Sequence, residues 1–368
     1  MGESSRRQFV GRASALAAAA TVGSVGQAAA SASEKDQSGT ASATKNLFLP
    51  PAGPRYRVIS DNDYSGDPDG LFQLVHVLLS PSLDVRAVIG SHLAVGDGFD
   101  PSTQQAANAV RAARAVLDLM RLRGKVRVVQ GSNVGLTDPM TPQRSAGAEA
   151  IVAEAMRTDT DLPLFVTFGA GLTELASAYL IEPRIASRLT AVWIGGPEYP
   201  ELGPHPERPG AGPGPEYNLN IDVTAAQVVF NESAIPIWQV PRNAYRQALV
   251  GMTELVVHVR PQGRIGAHLY NELVRIHQLA ANFGLNLGET YILGDNPLVL
   301  LTALQSQFEP NTSSSEYALL PAPRINDDGT YTPRSGGRQI RVYRRLDVRL
   351  MFDDFYAKLA AHYGLRGR

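Results

Sequence analysis

Tyr56-Arg57-Val58-Ile59-Ser60-Asp61-Asn62-Asp63-Tyr64-Ser65-Gly66-Asp67-Pro68-Asp69-Gly70 is the stretch on which the reading of this chain turns. Its first five residues, Tyr56 to Ser60, read as a buried strand, and Gly70 to Leu79 reads as the helix that follows. Between them lie four carboxylates within nine residues. In open α/β sheets, ligand sites form beyond the carboxyl ends of strands, so Asp61, Asp63, Asp67 and Asp69 fall where chemistry is usually placed. Helix capping accounts for part of the cluster: Asp67 is expected at the N-cap, Pro68 at the first helical position and Asp69 in the dipole-favoured first turn. It accounts for neither Asp61 nor Asp63. Close carboxylates repel one another unless a cation neutralises them, and oxygen-only donors suit Ca²⁺ or Mg²⁺ better than zinc. The loop is not an EF-hand, because the glutamate of the twelfth position is absent. The competing reading is a solvated acidic loop.

Outward from this stretch, short apolar runs alternate with amphipathic segments. Strands are expected at Leu83 to Ile89, Val126 to Val129, Leu162 to Thr167 and Leu189 to Ile194. Helices are expected at Gln104 to Leu122, Ala146 to Arg157 and Leu172 to Ile181. Such alternation specifies an α/β fold with a mostly parallel central sheet flanked by helices. Pro197 to Pro215, dense in Pro and Gly, reads as a long surface loop. Beyond it come a helix at Val223 to Asn231, a strand at Ile235 to Gln239 and a mainly helical Leu249 to Phe283. A loop-rich Asn311 to Gly337 precedes a strand at Gln339 to Arg344 and a helix at Leu350 to His362. No repeat or linker divides the chain after Lys45, so residues 46–368 read as one large domain.

Composition narrows the function classes. The 368 residues carry a formal net charge of −1, which argues against a nucleic-acid coat or a membrane-surface binder. The absence of cysteine excludes disulfides, thiolate zinc sites and cysteine nucleophiles. No apolar run after the first thirty residues is long enough to span a bilayer. At the other end, Ser5-Arg6-Arg7-Gln8-Phe9-Val10 is a twin-arginine pattern followed by an Ala-rich run, with small residues at Ala28, Ala30 and Ala32. Residues 1–32 are therefore expected to be a signal peptide and 33–45 a linker, with export of the folded protein from a bacterial cytoplasm to the periplasm or beyond.

The acidic loop resembles the D-x-D-x-x-x-D-D strand end of the inosine–uridine-preferring nucleoside hydrolases, and further similarities follow in order. Val128-Val129-Gln130-Gly131-Ser132 resembles the family's next strand end. Thr167-Phe168-Gly169-Ala170-Gly171-Leu172-Thr173-Glu174-Leu175 is similar to its G-x-L-T-N-L turn. Ile194-Gly195-Gly196 resembles its M-G-G. Glu216-Tyr217-Asn218-Leu219-Asn220-Ile221-Asp222, with Ala225-Ala226, is similar to its E-F-N-x-x-x-D-P-x-A-A, and Gly294-Asp295-Asn296-Pro297 stands where it has H-D-P. The resemblance implies hydrolysis of a ribonucleoside's N-glycosidic bond, with Ca²⁺ as cofactor. It implies Asp63 as ion ligand and general base on a Ca²⁺-bound water, with Asp69 or Asp67, the Gly169 carbonyl and Asp295 as further ligands. The remaining member of the Asp67/Asp69 pair, with Glu216 and Asn218, takes the ribose hydroxyls, and Asp61 sits behind the loop and orients it. The family commonly forms homo-oligomers, so the implied partners are a small N-glycoside and further copies of the chain, with no nucleic acid and no inserted membrane.

Three departures alter that picture. Pro68 separates the paired carboxylates, leaving open which of Asp67 and Asp69 takes which role. Glu174 replaces an Asn, which reads as structural. Gly294 stands in place of the family's His, so leaving-group activation has to come from elsewhere, from His92, Asn271, His277 or His205 on the Pro-rich loop, or depend on a purine protonated by another route. Two rival functions are open. One is an exported, non-catalytic nucleoside or sugar binder on the same fold. The other is a haloacid-dehalogenase-like phosphohydrolase, suggested by Asp61-Asn62-Asp63-Tyr64-Ser65 and Gly294-Asp295. That chemistry needs a lysine between the two motifs, and lysines occur only at 35, 45, 125 and 358, with Lys125 ahead of the wrong strand.

Overall fold

A computed structural model of the chain describes residues 47–202, 216–282, 284–306 and 313–364. The expected signal peptide, the linker and His205, with most of its Pro-rich loop, lie outside the described residues. The strands are β1 (Tyr56–Asn62), β2 (Leu83–Gly90), β3 (Val128–Gln130), β4 (Leu164–Phe168), β5 (Thr190–Ile194), β6 (Ile237–Val240), β7 (Leu249–Gly251), β8 (Thr290–Ile292), β9 (Glu316–Pro321), β10 (Arg324–Ile325), β11 (Tyr331–Thr332) and β12 (Gln339–Arg345). Eight of them form one sheet in the order β3-β2-β1-β4-β5-β6-β12-β9, parallel throughout except for the antiparallel edge pair β12/β9.

Side-chain alternation in the central strands divides the interior in two. In β1, Val58 faces one core and Ile59 the other; in β4, Phe165 faces the first while Val166 and Phe168 face the second. The first core is covered by helices α1 (Asp69–Leu78), α2 (Gln105–Leu119) and the closing Val348–Tyr363 helix. The second is covered by α3 (Ala146–Ala155) and α4 (Thr173–Ile181). Every residue of α1 from Gly70 to Val77 is buried, as expected of a helix covered on all sides. The result is a single α/β domain with a mostly parallel sheet flanked by helices.

Strand order also fixes where the chain can build a site. From β1 the chain runs outward through β2 and β3, then returns to β4 on the other flank of β1 and continues to β5 and β6. The β1/β4 boundary is therefore the topological switch point, where the loops leaving the strand ends diverge and open a crevice. Asp63 follows the end of β1 and Gly169 follows the end of β4.

Three elements differ from their sequence-based expectation. Helix α1 starts at Asp69 with Pro68 as the capping residue and no side-chain cap, so Asp67 is not its N-cap. The Asp67 carboxylate accepts only a 3.3 Å bond from the Asp69 amide, because it is also held by the Tyr291 hydroxyl at 2.9 Å. The expected helix from Val223 ends as a regular α-helix at Gln227 and continues as a π-type turn, Val228–Glu232. Within the expected loop-rich stretch, β9 is a strand paired with β12 from Gln339↔Pro321 to Arg345↔Glu316. Its Leu320 packs against the second core while Leu319, its neighbour, is 60% exposed.

Candidate active site

One cavity opens at the switch point, and the residues singled out from sequence gather on its wall: Asp63, Asp67 and Asp69 from the β1–α1 loop, Gly169 after β4, Glu216 and Asn218 at the Tyr217–Ile221 helix, and Asp295 after β8. Six acidic or amide side chains separated by up to more than two hundred residues thus face one space.

Gly169 shows how closely the two halves approach. A side-chain carbon there would collide with the Asn62 amide and lie 2.7 Å from Asp295 Oδ2, so only glycine fits. Asn62, fully buried, joins the parts: its Nδ2 donates to Asp295 Oδ2 at 2.8 Å and its Oδ1 accepts from the Asp63 amide at 2.8 Å. Gly70 is small for the same reason, since a β-carbon there would meet Asn62 Nδ2 at 3.0 Å. Glu216 is fixed from both sides. Its Oε2 accepts from the amides of Gly196 at 2.7 Å and Leu219 at 3.1 Å, and its Oε1 accepts from the Tyr245 hydroxyl at 2.8 Å. Asn218 Nδ2 donates to the carbonyls of Ile194 at 2.8 Å and Gly169 at 3.2 Å.

The electrostatics are those of crowded carboxylates, with Asp63, Glu216 and Asp295 buried and Asp67 and Asp69 partly exposed. Burial, and then the charges of Asp295, Asp67, Asp97 and Asp61, push the Asp63 carboxyl well above its usual range. Asp69 is raised by burial and by Asp295, Asp67 and Asp63. Burial holds Asp67 near about 6 against the opposing bond from Tyr291, and Asp295 at about 7 against bonds from Asn62 and Asp69. Glu216 is raised by burial although three donors and Tyr245 oppose it. Among the described residues lining the cavity there is no lysine, arginine or histidine to offset these charges.

The donor chemistry fits a hard divalent cation: buried carboxylates, a backbone carbonyl brought close by a glycine, and mutual repulsion that a cation would relieve. Among the described residues, however, no group of three or more acidic or histidine side chains is gathered tightly enough to form a ready-made cage.

The other sequence-based candidates are elsewhere. Asp61 is buried behind the cavity; its carboxylate accepts from Ser91 Oγ, while its backbone carbonyl accepts from the Gly169 amide at 3.0 Å. His92 is buried with Nε2 bonded to Thr173 Oγ1 at 2.9 Å and Nδ1 to the Leu93 carbonyl at 2.8 Å, and it does not line the cavity. Asn271 is exposed on the Gly263–Asn282 helix; His277, on the same helix, lies 6.1 Å from the Tyr291 ring. Neither reaches the cavity wall. Glu174 accepts from the Ser132 amide at 2.7 Å and from Ser145 Oγ, tying α4 to the β3 and α3 entry loops. Four participants had no motif to announce them: Asn62, Tyr245, Tyr291 and Asp97, which accepts from the Tyr217 hydroxyl at 2.7 Å. Only Asn62 carried a signal, its place between two aspartates at a strand end.

With this geometry in view, the comparisons agree on the class. The family model for inosine–uridine-preferring nucleoside hydrolases matches residues 58–319, and the chain belongs to that family. No curated protein matches the chain by sequence. Among solved structures, it resembles a plant nucleoside hydrolase, the PpNRh1 enzyme, with a TM-score of 0.60 at 18% identity over 83% of this chain and 99% of that one. It also resembles a purine-preferring ribonucleoside hydrolase from Gardnerella vaginalis, with a TM-score of 0.60 at 16% identity over 84% of this chain and 99% of the other. An inosine–uridine-preferring nucleoside hydrolase from Bacillus anthracis gives 0.58 at 16% identity over 83% and 99%. At these identities the likeness is one of fold. No helix among the described residues is long and apolar enough to cross a membrane.

Proposed function

We propose that the chain is a Ca²⁺-dependent N-ribosyl hydrolase that cleaves ribonucleosides to ribose and free base, exported by the twin-arginine route. The observation that carries this reading is the convergence of Asp63, Asp67, Asp69, Asp295, Glu216 and Asn218 on one cavity at the switch point, in a chain of this family. Asp63, Asp69, Asp295 and the Gly169 carbonyl are the groups to hold the ion. When bound, it would supply a water of lowered pKa and offset part of the negative charge of the carboxylate cluster.

The chain's own residues account for the rest. Asp63 takes the proton of the attacking water. Its loop position is set by the bond from its amide to Asn62 Oδ1. Glu216 and Asp67 accept from ribose hydroxyls; each has one oxygen already directed by a tyrosine, Tyr245 and Tyr291, so each meets substrate in a defined orientation. Hydrogen bonds to the ribose that strengthen as positive charge develops on the ring favour the transition state over the ground state.

The test is reducing-sugar release across a nucleoside panel, with and without EDTA, for wild type and Asp63→Ala. Release should require divalent ion and fall by at least a hundredfold in the variant. Release that survives EDTA or the substitution refutes the mechanism. Binding of nucleosides without ribose release replaces it with a binding protein, the reading suggested by the glycine at position 294.

A further inference from the structure

Cleaving a neutral base from ribose leaves an anion unless an acid supplies a proton, a contribution of about 10²–10⁴-fold. Among the described residues lining this cavity there is no histidine, lysine or arginine for that purpose, and the carboxyls are those assigned to the ion, the attacking water and the ribose. Gly294 has no side chain, and a β-carbon there would lie 3.3 Å from Asp69 Oδ2, the carboxylate assigned to the ion, and 3.4 Å from Cδ2 of the Tyr245 ring. The two phenols on the wall, Tyr245 and Tyr217, already donate to the Glu216 and Asp97 carboxylates at 2.8 and 2.7 Å. Both of the imidazole nitrogens of His92 are engaged elsewhere. What the wall does offer is Phe99, Tyr217 and Tyr245 as aromatic surface, Ile194 and Ile292 as apolar surface, and five carboxylates with no basic partner. Such a surface attracts cations by its field, and its rings can hold a cationic aromatic group by cation–π contact.

Resting on the nucleoside hydrolase reading, we infer that the preferred substrates are N-ribosides whose base already carries a positive charge, above all pyridinium ribosides. For these no acid is needed. Water adds to the anomeric carbon as its C–N bond breaks, both bond electrons pass to the ring nitrogen, and the base departs as a neutral pyridine. The proton lost by the water goes to the Asp63 carboxylate and then to solvent, so riboside cation plus water gives ribose, pyridine and one proton. The carboxylates that attract the charged substrate lose their hold on the neutral product, which assists release.

The experiment compares kcat/KM of the Ca²⁺-loaded full chain on nicotinamide riboside, inosine, uridine and p-nitrophenyl ribofuranoside, with spontaneous hydrolysis subtracted. The last compound has a leaving group good enough to need no acid and reports ribosyl hydrolysis by itself. Nicotinamide riboside should exceed inosine and uridine by about 100-fold or more. A preference below tenfold, with ribose still released, overturns this inference and leaves the hydrolase reading intact. No release from any of the four overturns the hydrolase reading itself.

Discussion

The sharpest consequence of a cavity walled by carboxylates is that removing one of them should stabilise the ion-free protein while destroying its activity. Asp295→Asn is the perturbation of choice, because the Asn62 Nδ2 bond to this side chain at 2.8 Å can be kept by an amide oxygen. Burial holds the Asp295 carboxyl at about 7 in the folded chain against an ordinary 3.8. An acid raised in this way is protonated in the folded state between those two values while the unfolded state has lost its proton. Stability is therefore lost as pH rises from 3.8 through 7, and the whole penalty is present at pH 8. A shift of this size corresponds to about 4 kcal/mol at 1.36 kcal/mol per unit; proton sharing with Asp69 makes roughly 2–4 kcal/mol the expected gain. In EDTA at pH 8, Asp295→Asn should unfold in urea at a higher midpoint than wild type, and the difference should vanish at pH 4. With Ca²⁺ the order should narrow or reverse, since wild type gains about 2.7 kcal/mol at a free ion concentration of 100 Kd and the variant gains less. Ribose release by the variant should be undetectable. A variant less stable than wild type in EDTA at pH 8, or one that still releases ribose, refutes the reasoning.

Other consequences are equally direct. Asn62→Leu keeps the volume but strands the Asp63 amide and the Asp295 carboxylate, and urea denaturation should show a loss of about 3 kcal/mol; a change under 1 kcal/mol contradicts the linking role. Gly169→Ala drives a methyl group into the Asn62 amide and the Asp295 carboxylate, so about 1–3 kcal/mol of stability and most of the ribose release should disappear. Tyr245→Phe keeps the ring but strands the buried Glu216 Oε1, so kcat/KM should drop about tenfold and urea denaturation should show a loss of about 1–3 kcal/mol; an unchanged kcat/KM contradicts the orienting role. His76, buried and held at about 4 against an ordinary 6.5, stays neutral in the fold while the unfolded chain takes up a proton below pH 6.5. Stability should fall between pH 6.5 and 4 by up to about 3 kcal/mol, and acid titration of His76→Gln should lose that component.

The strand order and the cavity could be read from residues that carry both a backbone and a chemical requirement. Asp63 had to follow a buried strand and Gly169 had to follow another, and in the structure these strands are the β1/β4 neighbours at the switch point. The edge strand Glu316–Pro321 escaped because proline, serine and charged residues surround it and only one face is covered, so its local composition resembles a loop while its order comes from pairing with β12. The leaving-group candidates followed from residue type alone. His92 has the right chemistry but points into the interior, where Thr173 and the Leu93 carbonyl hold it. Orientation of that kind is set by packing between distant elements and leaves no local pattern.

Three of the four participants without a motif, Asn62, Tyr245 and Tyr291, are neutral donors, and the carboxylates they hold explain why. Asn62 donates to Asp295, Tyr245 to Glu216 and Tyr291 to Asp67, each with a single bond of 2.8 or 2.9 Å. An arginine or lysine in any of these places would fix the carboxylate more strongly, but would also cancel its charge and lower its affinity for a cation. A neutral donor aims one oxygen and leaves the negative field intact. Tyrosine adds a hydroxyl that burial keeps protonated, as the upward shifts of Tyr245 and Tyr291 indicate, so it stays a donor at any physiological pH. The cavity thus combines fixed carboxylate geometry with uncompensated negative charge, which is what binding a divalent ion and a cationic riboside in one space requires.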